Sequence, residues 1–214
     1  GEQAAQKITS GQLVGLGSGS ADAAFVNALG KRITDENLDV RGIPTSMQVE
    51  IIAQNNGIVL ESPSLIPEID VVVDGADEID KNHIMIKGGG GAHYREKIMI
   101  EAANHSIIVA DSSKYVDVIT WPVPLEVSEF SRFFVEEKIK SNGGNPVLRT
   151  LNKGYPFFTQ NGNLVIDAHF NQITEPLKLE QLLLNIPGII ANGIFSMKID
   201  TFLRANEDGS VEVG

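Results

Sequence analysis

The sequence contains no cysteine. Disulfides, thiolate metal sites and thiol catalysis are therefore excluded. Histidine is scarce, and His83, His93, His105 and His169 show no HxxxH or HxH spacing. A histidine-based metal site is not expected, and neither is any other cofactor. Basic side chains are outnumbered, 17 Lys and Arg against 28 Asp and Glu, for a formal net charge of −11. That balance argues against nucleic acid and against an anionic membrane surface as partners. It does not argue against a small anion, because a local site can invert the global sign. No apolar run reaches the ~18–20 residues that span a bilayer. No basic segment leads into an apolar one as in a secretory signal, so the expected location is cytoplasmic. The chain opens at Gly1 rather than Met, inside a stretch that reads as a helix (EQAAQKI), and some native N-terminus is expected to be missing.

With 214 residues, 42% apolar and 21% charged, the chain suits one large domain or a medium domain with a small companion. "GQLVGLGSGSADAAFVNALG" (Gly11–Gly30) reads as strand, glycine turn and helix, with Leu13–Leu16 as the strand. Ala24, Phe25, Ala28 and Leu29 share one helical face. "DVRGIPTS" is a second strand ending at Pro44, and Thr45 or Ser46 is placed to cap the next helix. "GIVL", "EIDVVVDGAD", "HIMIK" and "SIIVAD" read as further strands, with a helix over 92–103. Strands alternating with helices predict a mostly parallel, Rossmann-like α/β sheet covered on both faces. From Trp121 the order becomes βαββαβ: "PVPLEV", a helix, "PVLRT", "NLVIDAHF", a helix, and "IIANGIF" as one strand. That pattern predicts a smaller α+β domain of ferredoxin-like type. A closing hairpin turns at Asp208-Gly209 and is expected to return to the first sheet. The expected domains are 1–122 plus 198–214, and 123–197.

Three motifs carry chemistry. In "GLGSGSA" (Gly15–Ala21), glycines at a helix N-terminus leave backbone N–H groups aimed at one spot, where the helix dipole adds positive charge. Ser18 and Ser20 add hydroxyls around Gly19, which makes a phosphate cradle. There is no lysine of the GxxxxGK[ST] type and no GxGxxG, so a nucleotide is disfavoured. In "DGADE" (Asp74–Glu78), Asp74 and Asp77 follow a buried strand, and Gly75 and Ala76 leave room for a ligand at the strand's C-terminal end. Paired carboxylates suit acid–base work. They also suit Mg²⁺ or a turn, and the residues alone leave all three open. In "KGGGGAHYREK" (Lys87–Lys97), Gly88, Gly89 and Gly90 begin a run of four glycines that exposes backbone amides, a nest for an oxyanion or phosphate. Lys87 stands at the strand end, and Glu96 lies one to two turns into the next helix. Lys114, in "ADSSK", would come from a further strand end. Together, a base, paired acids, a lysine and amide donors fit proton transfer beside a carbonyl on a phosphorylated small molecule. His83 and His93 show no partner in the sequence and are read as non-catalytic.

At these residues the chain resembles the type A ribose-5-phosphate isomerases. The likeness is carried by "GLGSGSA", "GIPTS", "VDGADEID", "IKGGGGAHYREKI" and "ADSSK", and continues more weakly through "PVPLEV", "QNGN" and "NIPGII". The resemblance implies interconversion of D-ribose 5-phosphate and D-ribulose 5-phosphate through a cis-enediol, in the non-oxidative pentose phosphate pathway, without a cofactor. It implies Glu96 as the base, Asp74 as the group handling oxygen protons and ring opening, Lys87 as the electrophile, and Asp77 as a substrate-positioning acid. Ser18, Gly19, Ser20, Ala21 and Lys114 would hold the phosphosugar, Gly75 and Ala76 would line it, and Gly88–Gly90 would donate amides. It also implies a homodimer or homotetramer. Ala21 stands where the family more often has a hydroxyl. The alternative is a non-catalytic sugar-phosphate sensor, which would need the cradle but not Glu96, Asp74 and Lys87 together. A Mg²⁺-dependent phosphatase using "DGADE" is a third reading.

Overall fold

The structure, a computed structural model, describes residues 1–62 and 68–214. It divides into two compact units: Gly1–Ala76, Arg95–Ser113 and Met197–Gly214, and then Asp77–Tyr94 and Lys114–Ser196. The chain begins with α1 (Glu2–Gln6), β1 (Leu13–Leu16), α2 (Ser20–Glu36), β2 (Arg41–Pro44), α3 (Met47–Asn55), β3 (Val59–Leu60) and β4 (Ile69–Asp74). It passes through β5 (Glu78–Asp80) and β6 (Met85–Ile86), then α4 (His93–Ala102) and β7 (Ala103–Asp111). Next come β8 (Tyr115–Val116), β9 (Val123–Val127), α5 (Arg132–Ser141), β10 (Asn145–Leu148), β11 (Leu164–His169), α6 (Pro176–Leu184), β12 (Ile189–Asn192) and β13 (Ile194–Phe195). The hairpin β14 (Thr201–Ala205) and β15 (Val211–Val213) closes the chain.

The first unit is built on a seven-stranded sheet in the order β15-β14-β7-β4-β1-β2-β3. All pairings are parallel except β14 with β15. Its central strands are short and apolar because both faces are covered. Every residue of β1 is buried, as are Val71, Val72 and Val73 of β4. Phe25, Val26 and Leu29 of α2 pack with Val14, Leu16 and Val73 in one core. Ser46 caps α3 by accepting from the Val49 amide, as its position before the helix predicts. The C-terminal hairpin does join this sheet, β14 lying parallel to β7. Asp200 docks its start: its carboxylate accepts from the Ser106 amide at 2.9 Å and the Ser106 hydroxyl at 3.1 Å. Those bonds, the amide first, hold the Asp200 carboxyl below its usual range.

The second unit contains two four-stranded sheets. One has the order β10-β11-β9-β12, antiparallel throughout. With α5 and α6 as its crossovers, this is the ferredoxin-like order expected from βαββαβ. Val135 and Ile139 of α5 and Leu183 of α6 pack with Leu125, Val127 and Ile166 of the sheet. The other sheet, β13-β6-β5-β8, corrects the reading of "IIANGIF" as one strand. The chain breaks at Gly193, whose amide donates to Pro124 O at 2.7 Å and whose carbonyl accepts from the Lys87 amide at 2.9 Å. A Cβ there would lie 2.3 Å from Lys87 O. Only glycine lets two strands part so closely against a third, so Ile189–Asn192 and Ile194–Phe195 serve different sheets. The fold is therefore α/β, with a Rossmann-like sheet unit and an α+β unit. Among the described residues, no helix is long and apolar enough to cross a membrane.

Candidate active site

In the first unit the strand order reverses between β1 and β4. β2 and β3 extend the sheet to one side of β1, while β7 and β14 extend it to the other side of β4. Ligands of open α/β sheets bind outside the carboxyl ends of the strands at such a point. Two of the predicted motifs meet there. β1 runs into the glycine loop, and the Gly17 amide donates to Val73 O at 2.9 Å. β4 ends on Asp74, which is fully buried and accepts from the Gly75 amide at 2.8 Å. A Cβ on Gly17 would lie 2.4 Å from Asp74 Oδ1, so the loop reaches the acid only because residue 17 has no side chain.

The rest of the cradle is built from hydroxyls. Ser18 Oγ lies 2.7 Å from Thr45 Oγ1 and 2.5 Å from Ser46 Oγ, at the end of β2. Gly19 is the N-cap of α2, has φ 142°, and provides no side-chain cap to the first turn. The amides at Ser20 and Ala21 therefore begin a helix whose N-terminus is open to an anion. Ser20 is exposed, while Ser18, Gly19 and Ala21 are half-buried. Glu96, in the first turn of α4, is 3% exposed.

One acid here escaped the sequence reading. Asp22, in the first turn of α2, is 1% exposed. Its Oδ2 would stand 3.2 Å from a Cβ on Gly19 and 3.3 Å from one on Gly75, so it lies against both glycine turns. The signal was present: Asp22 shares the helical face of Phe25, Val26 and Leu29, three, four and seven residues on. A carboxylate on an apolar helix face at a glycine turn marks a special position.

The second unit holds the other predicted group. Lys87 follows β6 and is 2% exposed. Its Nζ lies 5.5 Å from the centroid of the Phe195 ring, a cation–π distance. Asp77 donates its amide to Ile86 O at 2.8 Å and accepts from the Gly89 amide at 2.8 Å. One amide of the glycine run is thus already engaged as a donor, with Asp77 as its acceptor. Gly88 is buried, Gly89 and Gly90 are exposed, and the Gly91 amide closes a turn onto Gly88 O at 2.9 Å. His93 is fully buried, its Nδ1 2.7 Å from where a Gly88 Cβ would stand. Lys114 ends a single 3-10 turn, Ser112–Lys114, with its Nζ 5.6 Å from the Trp121 ring centroid.

The acids of "DGADEID" sort clearly. Glu78 accepts from the Thr120 and Trp121 amides, both at 2.8 Å, and from the Thr120 hydroxyl at 3.0 Å. Asp80 accepts from the Asn82 and Ile84 amides, both at 2.8 Å, and forms the turn between β5 and β6. Both are spent on structure. Asp74 and Asp77 stand at glycine turns instead, where Asp74 accepts from the Gly75 amide and Asp77 from the Gly89 amide. Among the described residues, no three His, Asp or Glu side chains converge to hold a metal ion.

The sequence model of the family described as ribose 5-phosphate isomerase A (phosphoriboisomerase A) matches residues 41–209. The chain is 42% identical over 214 residues to the ribose-5-phosphate isomerase A of Methanosarcina acetivorans, covering 100% of this chain and 91% of that protein. Its fold matches that of the ribose 5-phosphate isomerase A of Methanocaldococcus jannaschii with a TM-score of 0.93 and 37% identity, covering 100% of this chain and 95% of that one. It also matches a D-ribose-5-phosphate isomerase solved in complex with phospho-erythronic acid, with a TM-score of 0.94 and 37% identity, covering 100% and 94%.

Proposed function

This chain belongs to the ribose 5-phosphate isomerase A family, and we infer that it interconverts D-ribose 5-phosphate and D-ribulose 5-phosphate. The match along the whole chain carries this reading. The sensor alternative is not favoured, because it leaves the buried acids and buried lysine without a task.

The residue roles follow from chemistry and motif. Ring opening exposes the C1 aldehyde. Glu96 then takes the proton from C2, and the electron pair moves into a C1–C2 double bond with negative charge on O1. The Lys87 ammonium and the amides of Gly88 and Gly90 stabilise that oxygen as charge develops on it, while the Gly89 amide stays on Asp77. Asp74 handles the oxygen protons, so that O1 gains one and O2 loses one. Glu96 returns its proton to C1, and the ketose forms. Asp77 positions the sugar. Ser18, Gly19, Ser20, Ala21 and Lys114 hold the phosphate end, and Gly75 and Ala76 keep the approach to Asp74 open.

Purified chain supplied with ribose 5-phosphate and excess chelator should yield ribulose 5-phosphate. No turnover from a folded chain would overturn the proposal. Release of inorganic phosphate that requires Mg²⁺ would support a phosphatase instead. We further propose a cytoplasmic homodimer or homotetramer. Phe130, in the 3-10 turn just before α5, and Phe133 and Phe134, in its first turn, are 100%, 71% and 47% exposed, and exposed aromatics so close in the chain suit an association surface. Sedimentation equilibrium should give a mass of at least two chains; a monomer at all micromolar concentrations would refute this.

A further inference from the structure

Four consecutive glycines have more backbone freedom than any other sequence of that length. Gly88 and Gly91 use it, with φ of 108° and 76°. A loop with no side chains cannot hold itself, so its conformation has to be imposed by neighbours. One such neighbour, beside Asp77, is Arg149, just beyond β10. Its Nη1 donates to Gly88 O at 2.8 Å and to Gly89 O at 3.0 Å. Its Nε and Nη2 donate to the two carboxylate oxygens of Asp167 on β11, at 2.9 and 2.5 Å. The guanidinium has five N–H donors in a rigid fork, and these four bonds fix its plane. Its Cζ lies 5.8 Å from the centroid of the Phe157 ring. That ring covers the far end of the loop, with Cε1 2.5 Å from where a Gly91 Cβ would stand. The backbone ties the assembly together: Phe157 N donates to Arg149 O at 3.0 Å, and Arg149 N to Val165 O at 2.8 Å.

We propose that Arg149, oriented by Asp167, is a positioning residue that sets the direction of the glycine-loop amides. A trans peptide is planar, so its N–H points opposite to its carbonyl. Pulling Gly88 O toward the guanidinium turns the Gly89 N–H away from it, and that N–H is the one bound to Asp77 Oδ2. Pulling Gly89 O the same way turns the Gly90 N–H outward from an exposed residue with nothing, among the described residues, within 4 Å of its Cβ position. One cation thereby orients two peptide planes, one serving Asp77 and one presented for a ligand. It also polarises both peptides, which strengthens them as donors. The catalytic part of this proposal rests on the isomerase reading; the ordering of the loop does not.

The test uses the full chain with Arg149→Gln and Arg149→Lys. Hydrogen exchange at 88–91 should accelerate in both variants while β9 and β11 stay protected. Lysine should fail to restore the loop, since it keeps the charge but not the planar fork; should the glutamine variant not fold, the lysine variant carries the test. kcat for ribose 5-phosphate should fall about 10- to 10²-fold, the range for misplaced catalytic groups, with KM changed far less. Affinity for phospho-erythronic acid should fall with it. Wild-type exchange at 88–91 in a folded variant would overturn the proposal, and so would a faster-exchanging loop with unchanged kcat. Faster exchange in a protein whose wild type does not isomerise would support the loop assignment and sink the functional reading instead.

Discussion

Glu96→Gln is expected to lower kcat by at least about 10²-fold, the usual contribution of a positioned base, while KM for ribose 5-phosphate changes little. Glutamine keeps the shape of the side chain and one acceptor oxygen but cannot take up a carbon-bound proton. Glu96 is 3% exposed, in the first turn of α4. Solvent water is a poor substitute for it there. The sharper measurement is exchange of the C2 hydrogen with solvent, which should disappear with turnover. Retained kcat would mean that the base is another group, with Asp74 the first to examine.

Gly17→Ala should be nearly as severe, although residue 17 has no side chain to contribute. Its Cβ would lie 2.4 Å from Asp74 Oδ1 and 2.6 Å from Asp74 Cα. Neither partner can easily yield. The Gly17 amide is bonded to Val73 O, and Asp74 Oδ1 to the Gly75 amide. Overpacking of this kind costs about 1–3 kcal/mol of stability. Displacing Asp74 by even an ångström should lower kcat by about 10²-fold. The comparison is with Asp74→Asn, which removes the acid without crowding β1. The two variants should lose activity to a similar degree, and only the alanine variant should melt markedly earlier. A folded Gly17→Ala protein with full activity would show that the placement of Asp74 tolerates movement.

Much of the fold was legible because local pattern and burial agree. β1, the glycine turn and α2 follow from three apolar residues around Gly15, two further glycines and a helical apolar face. β4 was legible as far as Asp74, because Val71–Val73 leave no alternative to a buried strand. What stayed hidden depends on partners distant in the chain. Nothing near Glu78 announces that its carboxylate caps Thr120 and Trp121, more than forty residues on. The sequence singled out Asp74 and Asp77 but gave no task to Glu78 and Asp80, which the backbone amides they accept from now supply. Arg149 was invisible for a related reason: its acceptors at the loop are main-chain carbonyls, which carry no sequence signature. The break at Gly193 had a signal, the Asn192-Gly193 pair that marks turns, but the apolar residues farther out made the segment read as one strand. Asp22, by contrast, could have been found from its helical face alone.

The position of β14 has a consequence for how the protein is made. This strand lies against β7 with Thr201 opposite Ile107, so the sheet whose strand β4 ends in Asp74 closes over a long stretch of intervening chain. Contacts so distant in sequence form late, because the entropy of closing the loop must be met first. On the ribosome, β7 has no neighbour on that side until residues beyond 200 have emerged. A nascent chain therefore already carries every residue proposed for proton transfer while one flank of the supporting sheet remains an open edge, available for mispairing. Synthesis of the last strands and protection of that edge are one event.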